Sequence, residues 1–174
     1  MCIRDSINDI GLDRIREKVR TDLSGLKVAA YYGCQLVRPY TDFDDPDYPR
    51  SLDLILEAAG ATPIDFSAKT RCCGGSLAGT LEDVGMRLNE VIIREAKRKG
   101  ADVIATICPL CLFNLEIMQT KLAKKEKDTF NLPILYFTQI MGLAFGLSKD
   151  DLGFSRSIIP LKRMWNTIET GGSK

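Results

Sequence analysis

Arg71-Cys72-Cys73-Gly74-Gly75 sets two adjacent thiols ahead of two glycines, and the other informative residues of the chain are spaced around it. Cys34 precedes the doublet and Cys108-Pro109-Leu110-Cys111 follows it, at nearly equal gaps. Five of the six cysteines therefore form one pattern of a single residue, a doublet and a C-x-x-C, and equal gaps imply equal structural units.

Working outward from the doublet, Thr62-Pro63-Ile64-Asp65-Phe66 reads as a short strand that leads through Lys69-Thr70-Arg71 into Cys72. Downstream, Leu81, Val84, Leu88, Val91 and Ile92 recur at helical spacing until Gly100 stops the helix. Asp102 to Ile107 is the next strand, and Cys108-Pro109-Leu110-Cys111 opens a helix whose apolar face carries Leu115, Met118 and Leu122. That helix ends in the lysine-rich stretch from Lys121 to Lys127, favourable at a helix C-terminus and read as a solvated face. Leu132 to Phe137 gives another strand and Thr138 to Leu147 a further helix. Upstream, Lys27 to Gly33 is a β-rich run that stops at Cys34. Arg38 to Pro49, rich in proline and aspartate, reads as an irregular loop, and Pro49 to Gly60 as a helix.

Strands that alternate with helices predict an α/β fold: a single domain with a parallel sheet of about four strands, helices on both faces and right-handed crossovers. In open sheets of this kind ligands bind beyond the carboxyl ends of the strands. Cys34, the Cys72-Cys73 doublet and Cys108 with Cys111 each follow a strand, so topology brings all five thiols to one edge. Residues 26–160 are expected to form this domain. Residues 1–25 read as an N-terminal extension and charged linker helix, with residues 1–6 an adaptor remnant that removes Cys2 from the site. Residues 161–174 read as a tail, with Ile158-Ile159-Pro160 packing back.

Composition narrows the function. A chain of 174 residues, 45% hydrophobic and 27% charged, is long enough for one core and too short for two ordinary domains. With 24 Lys plus Arg against 23 Asp plus Glu, bulk charge favours neither nucleic acid nor an anionic membrane as partner. No stretch is long enough for a membrane span and no apolar leader is evident, so a cytoplasmic, reducing setting is expected. There, cysteines argue for a metal or redox site over a disulfide framework.

A thioredoxin-like dithiol at Cys108 and Cys111 fits the strand-to-helix position but leaves Cys34, Cys72 and Cys73 unexplained. Structural zinc takes four ligands and would leave one thiol idle, and catalytic zinc usually recruits histidine or carboxylate, whereas the chain has no histidine. Soft thiolates without a nitrogen partner point to iron-sulfur chemistry. Gly74 and Gly75 let the backbone approach an inorganic core and offer N–H groups to its sulfurs. Arg38, Lys69 and Arg71 sit beside cysteines, where each either offsets thiolate charge or is a solvated side chain. Tyr136, Phe137 and Thr138 lie on the same edge and either line a substrate cavity or pack in the core.

The pattern Cys34, Cys72-Cys73-Gly74-Gly75 and Cys108-Pro109-Leu110-Cys111 resembles the cysteine-rich CCG domain of the heterodisulfide reductase B-type subunit and its relatives. Among these are the iron-sulfur subunits of glycolate oxidase and anaerobic glycerol-3-phosphate dehydrogenase. The resemblance implies a noncubane 4Fe-4S cluster with Cys34, Cys72, Cys73, Cys108 and Cys111 as ligands and Gly74, Gly75 and Pro109 lining it. It implies cleavage of a small-molecule disulfide of the CoM-S-S-CoB type. The partners it implies, in a heterodisulfide reductase complex, are a further iron-sulfur subunit together with a flavin subunit. The family carries the domain twice and this chain carries it once, matching a C-terminal half. Two other functions stay open: an electron relay in a 2-hydroxy acid or glycerol-3-phosphate dehydrogenase complex, and a thiol-disulfide enzyme using Cys108 and Cys111 alone.

Overall fold

The computed structural model describes residues 3–39, 42–126 and 130–171. Four strands, β1 (Lys27–Tyr31), β2 (Thr62–Pro63), β3 (Val103–Thr106) and β4 (Ile134–Tyr136), form one parallel sheet in the order β2-β1-β3-β4. The helices are α1 (Ile3–Asp5), α2 (Leu12–Lys18), α3 (Ser51–Ala58), α4 (Glu82–Arg98), α5 (Pro109–Glu126), α6 (Phe137–Ala144) and α7 (Lys162–Gly171), with a π-helical turn at Ser6–Ile10. This is the expected α/β architecture of a parallel sheet clothed on both faces. Its central strands are apolar almost throughout because both faces are covered.

Alternation along the strands divides the core in two. Val28, Ala30, Val103, Ala105 and Leu135 pack with Leu52, Ile55 and Leu56 of α3 and with Ile140, Met141 and Ala144 of α6. Ala29, Tyr31, Ile104 and Ile134 pack on the opposite face with Ile92, Ile93 and Ala96 of α4 and with Leu115 and Leu122 of α5. The chain turns one way from β1 to β2 and the other way to β3, so the switch point lies between β1 and β3. Such a point opens a crevice beyond the strand ends, and Cys34 and Cys108 follow those two strands.

Several elements differ from the sequence expectation for identifiable reasons. β2 is two residues long because Pro63 has no N–H and confines it to the sheet edge. The N-terminal helix ends at Lys18 and not near Ser24, because Arg20 and Thr21 donate their N–H groups to Ala144 O at 2.7 and 3.0 Å and fasten the chain to the end of α6. Ile3, Ile15 and Leu23 are buried in the same core as α3 and α6. Ile159 is buried and Ile158 exposed. The stretch read as a tail forms α7, whose Met164 is buried beside Leu161 and whose Trp165 meets Phe154 edge-on at 5.7 Å. Tyr40, Thr41, Cys2 and Lys127 lie outside the described residues. No helix among the described residues is long and apolar enough to cross a membrane.

Candidate metal centre

Each thiol arrives on a loop or helix start fixed by identifiable contacts. β1 ends at Tyr31, and Gly33, with φ +67°, turns the chain so that Cys34 follows the strand end. A Cβ at Gly33 would stand 3.4 Å from Cys111 Sγ, so the first and third segments meet here. Cys108 precedes α5, whose first residue is Pro109, suited to a position that needs no N–H donor. Leu112 N–H donates to Cys108 O at 3.0 Å, which places Cys111 in the first turn, facing inward.

The sulfurs meet. Cys73 Sγ lies 3.4 Å from Cys111 Sγ, joining the doublet to the C-x-x-C across the sheet edge. The Cys111 thiol shares its proton with Cys73; with the Gly75 N–H and Asn114 amide it outweighs burial and brings Cys73 down to about 6. Cys111 moves up, driven first by that same bond to Cys73, then by burial and by Cys73 and Cys108 nearby. Burial and then Cys72 raise Cys34, so the single cysteine stands beside the doublet. Tyr31, pushed upward chiefly by burial, also feels Cys111, Cys73, Cys72 and Cys34. The structure thus gathers Cys34, Cys72, Cys73, Cys108 and Cys111 at the end of β1 and β3, with Cys73 and Cys111 buried, Cys34 and Cys108 half-buried and Cys72 exposed.

Among the described residues no three His, Cys, Asp or Glu side chains close around one metal-ion position. A single zinc needs every ligand sulfur within about 2.3 Å of one point, whereas a multi-iron cluster spreads its thiolates over several metal atoms. The donor set is all sulfur, and backbone N–H groups lie against it: Gly74 N–H donates to Cys72 Sγ at 3.3 Å. An all-sulfur donor set with amide N–H groups against it fits an iron-sulfur cluster.

Gly74 adopts φ +70°, and a Cβ there would come within 2.9 Å of Leu88 Cδ1 and 3.2 Å of Gly85 Cα. At Gly75 it would meet Leu110 Cγ at 2.8 Å. The doublet is therefore pressed between α4 and the start of α5, where only glycine fits. Gly74→Ala is expected to destabilise the chain by about 1–3 kcal/mol, read from urea unfolding.

Several residues that frame the site carry no sequence signal of their own. Asn89 of α4 and Asn114 of α5 both donate to Cys73 O, at 2.7 and 2.8 Å, and both are buried. Tyr31 OH donates to Arg71 O at 2.7 Å. Lys69, expected to offset thiolate charge or to be solvated, does neither. It is 2% exposed and its ammonium lies 3.0 and 3.1 Å from the Asp53 carboxylate and 3.2 Å from Pro49 O. Tyr32 OH also donates to Asp53 and accepts from Leu52 N–H and Asp53 N–H at 2.9 and 3.1 Å, capping α3. Lys69 O in turn accepts from Tyr32 N–H and Gly33 N–H at 2.9 and 3.0 Å, tying the approach to Cys34 to the approach to Cys72. Arg71 is exposed, and Arg38 faces Asp47 at 3.8 Å. Replacing Asn114 by alanine strips one of two donors from Cys73 O and is expected to cost about 1 kcal/mol, measurable by the same unfolding.

Of the three residues at the end of β4, Tyr136 lines a cavity beside the thiols, Phe137 is core and Thr138 is exposed. Burial first, then Cys108 and Cys111, hold the Tyr136 phenol above its ordinary value. Tyr136 pairs in register with Thr106, whose Oγ1 accepts from Cys108 N–H, so that cavity lies next to the C-x-x-C.

A doubly wound sheet carrying five cysteines at one edge defines a cysteine-rich α/β domain. The chain belongs to the CCG cysteine-rich domain family, whose model matches residues 28–116, just over half of it. It is 33% identical over 155 residues to the 8-methylmenaquinol:fumarate reductase membrane anchor subunit of Wolinella succinogenes, covering 88% of this chain and 55% of that protein. It is 31% identical over 155 residues to the B-type subunit of the ferredoxin:CoB-CoM heterodisulfide reductase of Methanosarcina mazei, covering 87% and 51%. A heterodisulfide reductase B-like protein of Archaeoglobus profundus is 32% identical over 148 residues, covering 82% and 50%. The chain spans about half the length of the curated relatives it matches. A hypothetical protein from Helicobacter pylori shares the fold, with a TM-score of 0.64 at 16% identity over 85% of this chain and 28% of that one.

Proposed function

We propose that Cys34, Cys72, Cys73, Cys108 and Cys111 hold a noncubane 4Fe-4S cluster, and that the chain is the cluster-bearing domain of a heterodisulfide reductase B-like subunit. Its task is to cleave a small-molecule disulfide with electrons from a partner iron-sulfur subunit, itself served by a flavin subunit. The observation that carries this reading is the meeting of thiols from three separate loops, sealed by the 3.4 Å approach of Cys73 and Cys111. When bound, the cluster would supply one-electron chemistry and soft metal sites for sulfur.

The protein's own residues do the rest. Asn89 and Asn114 hold the doublet through Cys73 O. Gly74 and Gly75 present N–H groups toward its sulfurs. Lys69 fixes the two approach segments against each other without presenting its charge to the thiols. The relatives named as heterodisulfide reductases support the disulfide as substrate.

The relative from a quinol:fumarate reductase supports a second reading, in which the domain relays electrons inside a dehydrogenase or reductase complex. A dithiol enzyme built on Cys108 and Cys111 alone has less support, because Cys111 Sγ also meets Cys73, which such an enzyme leaves without a role. The test is to assemble the complete complex, reduce it with viologen and assay thiol release from added disulfides. Thiol release that needs all five cysteines supports cleavage. Redox cycling of the complex without thiol release favours the relay.

A further inference from the structure

The chain has no histidine, so within it a proton exchanged near neutral pH beside the thiols comes from another kind of group. Cys108, Leu112 and Glu116 follow one another at four-residue spacing and lie along one face of α5 and its entry. That face borders a cavity of about 240 Å³ between α5, β4, α6 and the Leu152–Ser157 segment, lined by Leu112, Glu116, Tyr136, Gln139 and Arg156 among others. Tyr136 pairs in register with Thr106, whose Oγ1 accepts from Cys108 N–H, and so closes the side toward the thiols.

Glu116 is a carboxyl that is 3% exposed, yet it has no cationic partner among the described residues. Its Oε1 accepts from Ile158 N–H at 3.1 Å and Ile159 N–H at 3.3 Å. Oε2 takes no hydrogen bond among the described residues, and the residue borders the cavity. Gln139, which could have met it, is committed to Tyr136 N–H and Leu152 O at 2.9 and 2.8 Å. The charged or titratable groups facing Glu116 across the cavity are Tyr136 from β4 and the exposed Arg156 from the Leu152–Ser157 segment.

We infer that Glu116 is the proton donor of this site, handing protons across the cavity to the sulfurs set free when a disulfide is cleaved beside Cys108 and Cys111. This rests on the disulfide-cleaving reading above. One turnover takes two protons and two electrons, the electrons coming from the partner iron-sulfur subunit. The S–S bond breaks, both sulfurs leave as thiols, and Glu116 gives each proton in turn and is refilled from solvent through the cavity. Burial outweighs the two backbone donors and holds the Glu116 carboxyl above the usual glutamate range, which keeps a proton on it closer to neutral pH.

Glu116→Gln tests the role, since the amide oxygen can still accept from Ile158 and Ile159. In the isolated chain the sign is fixed by linkage. A carboxyl raised by folding contributes stability below its unfolded value, and that contribution is lost as pH rises through the folded value. The wild-type melting temperature should therefore fall relative to that of Glu116→Gln as pH rises through this window.

In the complete complex, with reduced viologen as donor and bis(2-hydroxyethyl) disulfide as probe, Glu116→Gln should slow thiol release by about 100-fold. Iron and sulfide content and KM should stay unchanged, and the variant should lose the wild-type decline in rate at rising pH. A variant with wild-type rate and pH profile at full iron content overturns the role of Glu116 and leaves the metal centre standing. A wild-type complex that takes up iron but releases no thiol removes the disulfide reading, and this role with it.

Discussion

Cys73→Ser will lose at least about tenfold in iron retained after anaerobic reconstitution, measured against the unmodified chain. Its sulfur lies 3.4 Å from that of Cys111 and it occupies the best-held position in the site, its carbonyl gripped by Asn89 and Asn114. Serine keeps the small size but offers a hard oxygen with a far higher pKa than the thiol, which its surroundings bring down to about 6. The metal-free fold should be retained, because serine keeps the carbonyl that Asn89 and Asn114 hold. Cys111→Ser should behave alike, whereas Cys2→Ser should retain full iron. Equal iron in the Cys73 and Cys2 variants would mean that the doublet is not a ligand.

The second large effect lies outside the thiols. Lys69→Met leaves Asp53 buried without its cation, and Asp53→Asn leaves Lys69 in the same position. The pair is 2% and 8% exposed at 3.0 Å, so breaking either half should cost about 3–5 kcal/mol. For a chain of this length that is a fall of about 10 °C in melting temperature. The double variant Lys69→Met with Asp53→Leu should recover much of the loss, because no charge is then stranded. The clamp also joins Tyr32-Gly33 to the Lys69 carbonyl, so the single variants should bind iron less tightly even where they remain folded. A melting temperature unchanged in Lys69→Met would show that the ammonium is not paired in the fold.

The sheet was legible because parallel strands covered on both faces read as unbroken apolar runs, as Val28 to Tyr31 and Val103 to Ala105 do. Gly60 and Gly100 marked two helix ends, and both adopt the left-handed backbone, at φ +84° and +82°. At the thiol edge, Cys34 and Cys108 come soon after β1 and β3, so topology alone puts them at the carboxyl ends of those strands. The doublet comes well after β2 ends at Pro63, and its place beside them shows only in the approach of Cys73 to Cys111.

The supports of that edge were not legible. Lys69 stands in a polar stretch and reads as solvated; its burial depends on Asp53 from α3 and Tyr32 beyond β1, which only the fold brings together. Asn89 and Asn114 look like ordinary helix polar residues until Cys73 O is placed between them. Glu116 reads as one more charge on α5, and its burial comes from Ile158 and Ile159, more than forty residues away. The helical spacing of Leu161, Met164, Trp165 and Ile168 was masked by the mixed composition around it.

The most direct measurement is the metal content of the chain after anaerobic reconstitution with iron, sulfide and zinc offered together. Shared ligation by the five thiols predicts iron and acid-labile sulfide in matching amounts, lost on replacement of Cys34, Cys72, Cys73, Cys108 or Cys111. A chain that takes up zinc and leaves the iron in solution would contradict it.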